Sequence, residues 1–243
     1  MDWSRAKTIL IISFTLLNAL LGYQVWTTWN EQSKASEVSV QTVEELNQLL
    51  AAEKITLSDT LPTELPEIGY LRITVTQRGN EWQTLRPRVD AVPDEAENVT
   101  EALEAQVEHL SEYELDEGAV QRGEWIYYQL VGDYPVYAAP VELKREGNFL
   151  TAYRQVRIEV ESREKEHVVI SPHAALQSVV EAQLIPSGST VQDVSLGYTG
   201  QLHAEEPQFI VPVWRILADG QAPLYVNALT GGLETGDWPR EQE

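Results

Sequence analysis

The 243-residue chain contains no cysteine and only four histidines. The absence of cysteine excludes disulfide bonds and thiolate chemistry, so the fold depends on its apolar core alone. None of the histidines has the HxH or HExxH spacing of a zinc site. They are His109, His167, His173 and His203. We therefore predict no metal site and no cofactor.

Motifs of catalysis are equally scarce. The sequence has no G-x-S-x-G and no glycine-rich phosphate loop. S-x-x-K occurs at 4–7 and 162–165, but no S-D-N or K-T-G completes the set, so chance explains both. The acidic runs 94–97 and 112–118 lack the order of a calcium loop, and we interpret them as solvated loops. With no catalytic residues to name, we predict that the chain is not an enzyme.

Positive charge is in short supply. The chain has 17 Lys and Arg against 38 Asp and Glu, a net charge of −21. Beyond residue 30 the counts are 15 and 37, a net charge of −22. Because such a surface repels nucleic acid and anionic lipid, neither is expected to bind this region.

One long stretch, from Thr8 to Trp26, carries no charge over 19 residues. At about 1.5 Å per residue it covers about 28 Å, close to the ~30 Å hydrocarbon core of a bilayer. Arg5 and Lys7 precede it, which places the N-terminus in the cytoplasm. A cleaved signal peptide would need a small-x-small cleavage site, whereas this stretch ends in bulky aromatics. We predict that residues 1–30 are a retained single-pass membrane anchor and that the rest is extracytoplasmic.

Small and polar residues share one face of this predicted helix. At 100° per residue they form a stripe roughly 100° wide. They are Thr15, Asn18, Ala19 and Gly22. Small residues four positions apart let a second helix approach closely, and the Asn18 amide can hydrogen-bond across such a contact. We predict a contact with partner helices here; the alternative is that a lone anchor tolerates these residues by chance.

Beyond the anchor, a polar tether at 31–40 leads into three units, each a helix followed by antiparallel strands. This order predicts an α+β fold in which helices cover antiparallel sheets. We place an N-terminal α+β domain at 41–165 and a C-terminal αβββ domain at 166–243.

Local signals locate most elements of these domains. A capping box at Thr42 and Glu45, a cap at Asn98, and Ser171 followed by Pro172 predict the three helix starts. Gly79-Asn80 predicts a hairpin turn between two strands. The strands are predicted at 70–77, 82–92, 125–131, 134–144, 148–160, 191–199, 208–218 and 223–229. The predicted helix faces are Val43, Leu46 and Leu50; Val99, Leu103, Val107 and Leu110; and Leu176, Val179, Val180 and Leu184.

Several segments resemble a known family. Residues 1–9 (MDWSRAKTI), running into the apolar stretch, resemble the start of the YycI (WalI) family. Gly197-Tyr198, 212–215 (PVWR) and 225–231 (YVNALTG) look like that family's last domain. The C-terminal pattern is also shared loosely with PepSY-like modules.

The resemblance implies a non-enzymatic, single-span regulator of the WalK (YycG) sensor histidine kinase, which governs cell-wall turnover in Gram-positive bacteria. Its membrane helix would contact the kinase helices, and its exterior would pair with the sister protein YycH. Two other functions stay open on the residues alone: a tethered extracytoplasmic cell-wall hydrolase, and a PepSY-like inhibitory module for an extracellular peptidase.

Overall fold

The computed structural model describes residues 7, 11, 13–15, 17–23, 40–63, 65–202 and 207–234. The residues described between 7 and 23 are helical. Within the described residues, no helix is both long and apolar enough to span a membrane. The predicted tether lies outside the described residues except for Val40, which begins the next helix.

The structure from residue 40 onwards is a mixed α+β fold dominated by antiparallel strands, as predicted. The helices are α1 (Val40–Glu53), α2 (Ala96–Glu104), α3 (Glu117–Gln121) and α4 (Pro172–Glu181). The strands are β1 (Thr56–Leu57), β2 (Glu67–Ile68), β3 (Leu71–Arg78), β4 (Gln83–Asp90), β5 (Tyr113–Leu115), β6 (Trp125–Val131), β7 (Tyr134–Glu146), β8 (Phe149–Arg163), β9 (His167–Val168), β10 (Thr190–Thr199), β11 (Gln208–Ala218) and β12 (Leu224–Asn227).

Ten of these strands form one sheet. Its order is β1-β10-β11-β3-β8-β7-β6-β5, with β12 added to β11 and β4 added to β8. The pairs β1–β10 and β7–β10 are parallel, and the other pairs of this sheet are antiparallel. A separate pair joins β2 to β9.

Two main apolar cores lie against this sheet. In the first, α1 packs against α4, and Leu46, Leu176 and Trp214 are among its buried side chains. In the second, α2 contributes Val99 and Leu103 to a core shared with strands β4 to β8. The first core contains residues from both sides of the predicted 165/166 boundary, because β1 pairs with β10 and β3 with β11. The boundary itself stays a prediction.

One of the three predicted helix starts is confirmed. The Ser171 hydroxyl accepts the backbone N–H of Ala174 at 3.1 Å, and Pro172 is the first residue of α4, as predicted. The cap at Asn98 is wrong, because a 3₁₀ turn that begins at Pro93 leads into α2 before that residue. The capping box at Thr42 is also wrong, since α1 begins at Val40.

The predicted hairpin between β3 and β4 is wrong. Both strands pair antiparallel with β8, β3 with residues 156–163 and β4 with residues 149–153, so they lie end to end along it. The 15 residues of β8 are long enough to hold both. Gly79 lies at the break between the two strands, where its φ of +64° favours glycine. The position also leaves little room for a side chain, because a Cβ there would lie 3.0 Å from the carbonyl group of Gln155.

The predicted buried face of the second helix is confirmed, although α2 ends at Glu104. Its members Val99, Leu103, Val107 and Leu110 are all buried. In the third helix, Leu176, Val179 and Val180 are buried, but Leu184 is 37% exposed. The reason is that α4 ends at Glu181 and Gln183 adopts a left-handed conformation, which carries Leu184 off the helical face.

Candidate functional site

The residues predicted to contact partner helices are helical and exposed. They are Thr15, Asn18, Ala19 and Gly22. The Thr15 hydroxyl donates a hydrogen bond to the backbone carbonyl of Ile11 at 2.8 Å, so it is satisfied within its own helix. A Cβ on Gly22 would meet no described atom within 4 Å. The partner-helix contact stays a prediction.

The histidines do not converge. In the described part of the chain, no group of three or more His, Asp or Glu side chains is arranged to hold a metal ion. His109 lies 3.4 Å from a carboxylate oxygen of Glu112. His173 lies in the first turn of α4, where burial lowers its pKa. His203 lies outside the described residues.

A pocket of about 520 Å³ opens between α3 on one side and β10 and β11 on the other. We call it the junction pocket, because one wall comes from β5 and α3 and the other from the C-terminal strands β10 and β11. Its lining residues are Asp59, Glu114, Leu115, Asp116, Glu117, Gly118, Gln121, Tyr128, Asp133, Pro135, Tyr137, Gln192, Asp193, Ser195, Leu196, Arg215 and Leu217.

The floor of the junction pocket is built around Arg215. Its side chain is 9% exposed, and among the described residues of the lining it is the one basic group. Nη1 donates to Oδ2 of Asp116 at 2.7 Å, Nη2 donates to Oδ2 of Asp193 at 3.2 Å, and Nε donates to the Ser195 hydroxyl at 3.3 Å. The buried cation is thus paired with one carboxylate from each wall, which is what a desolvated charge requires.

Two tyrosines complete the floor. The Tyr137 ring lies 4.7 Å and the Tyr128 ring 5.8 Å from the guanidinium carbon of Arg215, in cation–π contact. Since the Ser195 hydroxyl donates to Asp193 at 2.7 Å, the Tyr137 hydroxyl donates to Ser195 at 3.1 Å. Burial raises the pKa of Tyr137 to about 12, so the phenol is neutral at physiological pH.

The same residues set the charge of Arg215. Burial lowers the pKa of its guanidinium, but Tyr137 and the Asp116 carboxylate raise it, and the net shift is upward. The group therefore stays cationic throughout the physiological range.

Close backbone contacts hold the walls of the junction pocket in place. Asp116 is the N-cap of α3 and accepts the Ala119 N–H at 3.2 Å. A Cβ on Gly118 would lie 3.1 Å from the Leu217 side chain, so α3 rests directly on β11. On the other side, a Cβ on Gly197 would lie 2.7 Å from the Tyr137 ring, where β10 meets β7.

The rim of the junction pocket carries uncompensated negative charge. Six carboxylates face one guanidinium in the lining. Asp116 and Asp193 are paired with Arg215, whereas the other four take part in none of the ion pairs among the described residues; they are Asp59, Glu114, Glu117 and Asp133. The described contacts of Ser195 include no imidazole or amine that would act as its base.

Sequence reasoning missed this pocket. The interpretation of 112–118 as a solvated loop is wrong, because Asp116 is only 7% exposed and Glu112 is paired with Arg157. One signal was available: Arg215 stands alone among apolar residues in β11 (QFIVPVWRILA), and a charge in a buried strand needs a partner. The partner, Asp116, lies 99 residues away, and no local pattern identifies it.

Comparisons with known proteins identify a family for the chain. The model of the family described as YycI protein matches residues 33–229. No curated protein matches the chain significantly. Among solved structures, the Bacillus megaterium YpeB C-terminal domain is 12% identical with a TM-score of 0.37, over 82% of this chain and 96% of that one. An uncharacterized protein from Eubacterium rectale ATCC 33656 is 14% identical with a TM-score of 0.35, over 46% of this chain. The match spans 42% of the Eubacterium protein, less than half of its length.

Proposed function

The chain belongs to the YycI family, a regulatory and non-catalytic family of the WalK/YycG two-component system, and from this premise we propose its specific role. The chain is a membrane-anchored regulatory subunit of a sensor histidine kinase that controls the cell wall. Residues 8–26 span the membrane once, with the N-terminus in the cytoplasm. The exterior pairs with a YycH-like sister protein, and its part at 166–243 is a PepSY-like module.

The observation that carries this proposal is the family match over residues 33–229, which covers most of the chain beyond the predicted anchor. The face formed by Thr15, Asn18, Ala19 and Gly22 supports the membrane part of the role, because these residues are helical and exposed. Small side chains on such a face let a kinase helix pack closely.

Regulation follows from differential binding. A subunit that packs better on one signalling state of the kinase shifts the equilibrium towards that state. Coupling free energies of this kind are typically about 1–3 kcal/mol, which corresponds to a change of roughly 5- to 150-fold. Close helix packing and one interhelical hydrogen bond from Asn18 supply energies of that order.

The direct test exchanges residues 8–26 for an unrelated apolar span of equal length and keeps Arg5 and Lys7. Kinase phosphorylation in cells and co-purification with the kinase are compared with the wild type. We expect both to be lost while the amount of protein in the membrane stays normal. Retention of both would reduce the segment to a tether, and the proposed mechanism would be wrong.

A smaller change tests the face itself. Ala19→Leu with Gly22→Leu adds bulk to the predicted contact face, whereas Ser13→Leu adds bulk on the opposite side of the helix. We expect the double variant to lose kinase co-purification and Ser13→Leu to keep it. Equal behaviour of the two variants would contradict the proposed contact.

A further inference from the structure

We propose that the junction pocket binds an arginine or lysine side chain carried by an extended segment of a partner protein. The proposal extends the proposed function, on which it rests for the premise that this chain acts by binding other proteins. It locates a contact outside the predicted membrane segment and names its chemistry.

The location favours a binding site. The pocket lies where the α3 region meets β10 and β11, and ligand sites are typically concave pockets of about 300–1,000 Å³. Its volume of about 520 Å³ exceeds the space of one side chain, so it accommodates a basic residue together with flanking backbone.

The electrostatics select a cation. Arg215 is buried, three of its five N–H donors are taken by Asp116, Asp193 and Ser195, and its charge is already balanced by the two carboxylates, so it offers little to an anion. Glu114 and Glu117 on the rim are exposed and have no ion-pair partner among the described residues. A guanidinium or ammonium group entering the pocket therefore meets carboxylates on both walls, in a recess where screening by salt is weaker than on an open surface.

The apolar part of the lining favours a side chain over a bare ion. Leu115, Leu196 and Leu217 contribute aliphatic surface, and Tyr128 contributes an aromatic one. The methylene stem of lysine or arginine packs well on such surface while its charged end reaches the carboxylates. A compact metal ion would gain nothing from these contacts.

The test measures binding to the purified full-length chain in zwitterionic detergent at about 0.15 M salt, a condition that screens diffuse surface attraction. The probe is the blocked peptide Gly-Arg-Gly-Arg-Gly, and its control carries the neutral isostere citrulline in place of arginine. Two variants with equal charge change are compared: Glu114→Gln with Glu117→Gln in the pocket, and Glu97→Gln with Glu101→Gln on the exposed face of α2.

We expect the arginine peptide to bind roughly tenfold more tightly than the citrulline peptide, and the pocket variant to lose roughly tenfold in affinity while the α2 variant keeps it. Equal losses in both variants would show diffuse attraction to an acidic protein and would overturn the proposal. Displacement of the peptide by calcium, but not by sodium chloride of equal ionic strength, would assign the carboxylates to a metal ion and would also overturn it.

This outcome is separable from that of the proposed function. Peptide binding is measured on the isolated chain and does not depend on residues 8–26. If the span exchange abolishes signalling and the arginine peptide still binds, both proposals are supported. If the peptide binds and signalling survives the exchange, the membrane contact is contradicted and the pocket is left as the main contact.

Discussion

Arg215 and Arg157 are each held by two carboxylates, but in different surroundings. The side chain of Arg215 is 9% exposed and the side chain of its main partner Asp116 is 3% exposed, so this ion pair is almost fully desolvated. Arg157 binds both carboxylate oxygens of Glu112 at 3.1 Å, yet the side chains are 19% and 37% exposed. The comparison teaches that the number of hydrogen bonds in an ion pair does not predict how much free energy is lost when the pair is broken. The exposed pair has the better geometry, but the buried pair costs more to break.

Asp116→Ala should produce the largest effect. It leaves the buried guanidinium of Arg215 without its closest carboxylate and removes the N-cap of α3. We expect the free energy of unfolding to fall by about 3–5 kcal/mol, measured by urea denaturation followed by circular dichroism. Glu114→Ala, a nearby exposed carboxylate, is the control and should change it by less than about 0.5 kcal/mol. Similar values for the two variants would erase the distinction between buried and exposed charge.

Alkaline pH probes a property that the two regions share. Burial raises the pKa of Tyr137, beside Arg215, and of Tyr113, near Arg157, from 10.0 to about 12. The folded state therefore keeps protons that the unfolded state has lost, so the stabilising contribution is complete below pH 10 and disappears as the pH rises to about 12.

Each tyrosine accounts for roughly 2–3 kcal/mol of this alkaline loss of stability. Tyr137→Phe and Tyr113→Phe should each make the fall in stability at alkaline pH smaller by that amount. The measurement is the unfolding free energy from urea denaturation at pH 9 and at several pH values between about 10 and 12. If Tyr137→Phe alone flattened the pH dependence, the two regions would differ in tyrosine burial as well as in charge burial.

Gly197→Ala tests how tightly the walls of the junction pocket are packed. The added methyl group would press on the Pro135 carbonyl and lie 2.7 Å from the Tyr137 ring. Because the first contact is with backbone, we expect a loss of about 1–3 kcal/mol in unfolding free energy. Gly232→Ala, where the nearest heavy atom is the Thr230 hydroxyl at 3.4 Å, should be close to neutral. A neutral Gly197→Ala would show that β7 and β10 can move apart freely.

Glu112→Gln should have the smallest effect. It weakens the pair with Arg157 at an accessible site, where exposed ion pairs contribute about 0–1 kcal/mol. The difference from the wild type should shrink further in about 1 M salt, because screening acts on accessible charges. A loss as large as that of Asp116→Ala would mean that geometry outweighs desolvation after all.

The elements that the sequence predicts correctly are those encoded by neighbouring residues. The cap at Ser171 depends on local backbone chemistry, and the alternating strands predicted at 125–131, 134–144 and 148–160 appear close to those bounds as β6, β7 and β8. The family was also identified from segments near both ends, and the match over residues 33–229 confirms it.

The elements that the sequence does not predict depend on distant residues. Gly79-Asn80 has the composition of a hairpin turn, but β8 offers both flanking strands a longer partner, and tertiary pairing decides the outcome. The junction pocket likewise requires Asp116 and Arg215 to meet across 99 residues. Alternation and helical periodicity describe which face of an element is buried, and carry no information on which element covers it.

The pairing of β1 with β10 has a consequence for the order of folding. The Thr56 and Thr190 side chains meet across 134 residues, so the first strand cannot join the sheet until the chain beyond residue 190 has been made. At about 5–20 residues per second, that wait is on the order of ten seconds. During it α1 has no α4 to cover its apolar face. Non-local pairing of this kind slows folding, and the apolar face of α1 stays uncovered by α4 for that interval.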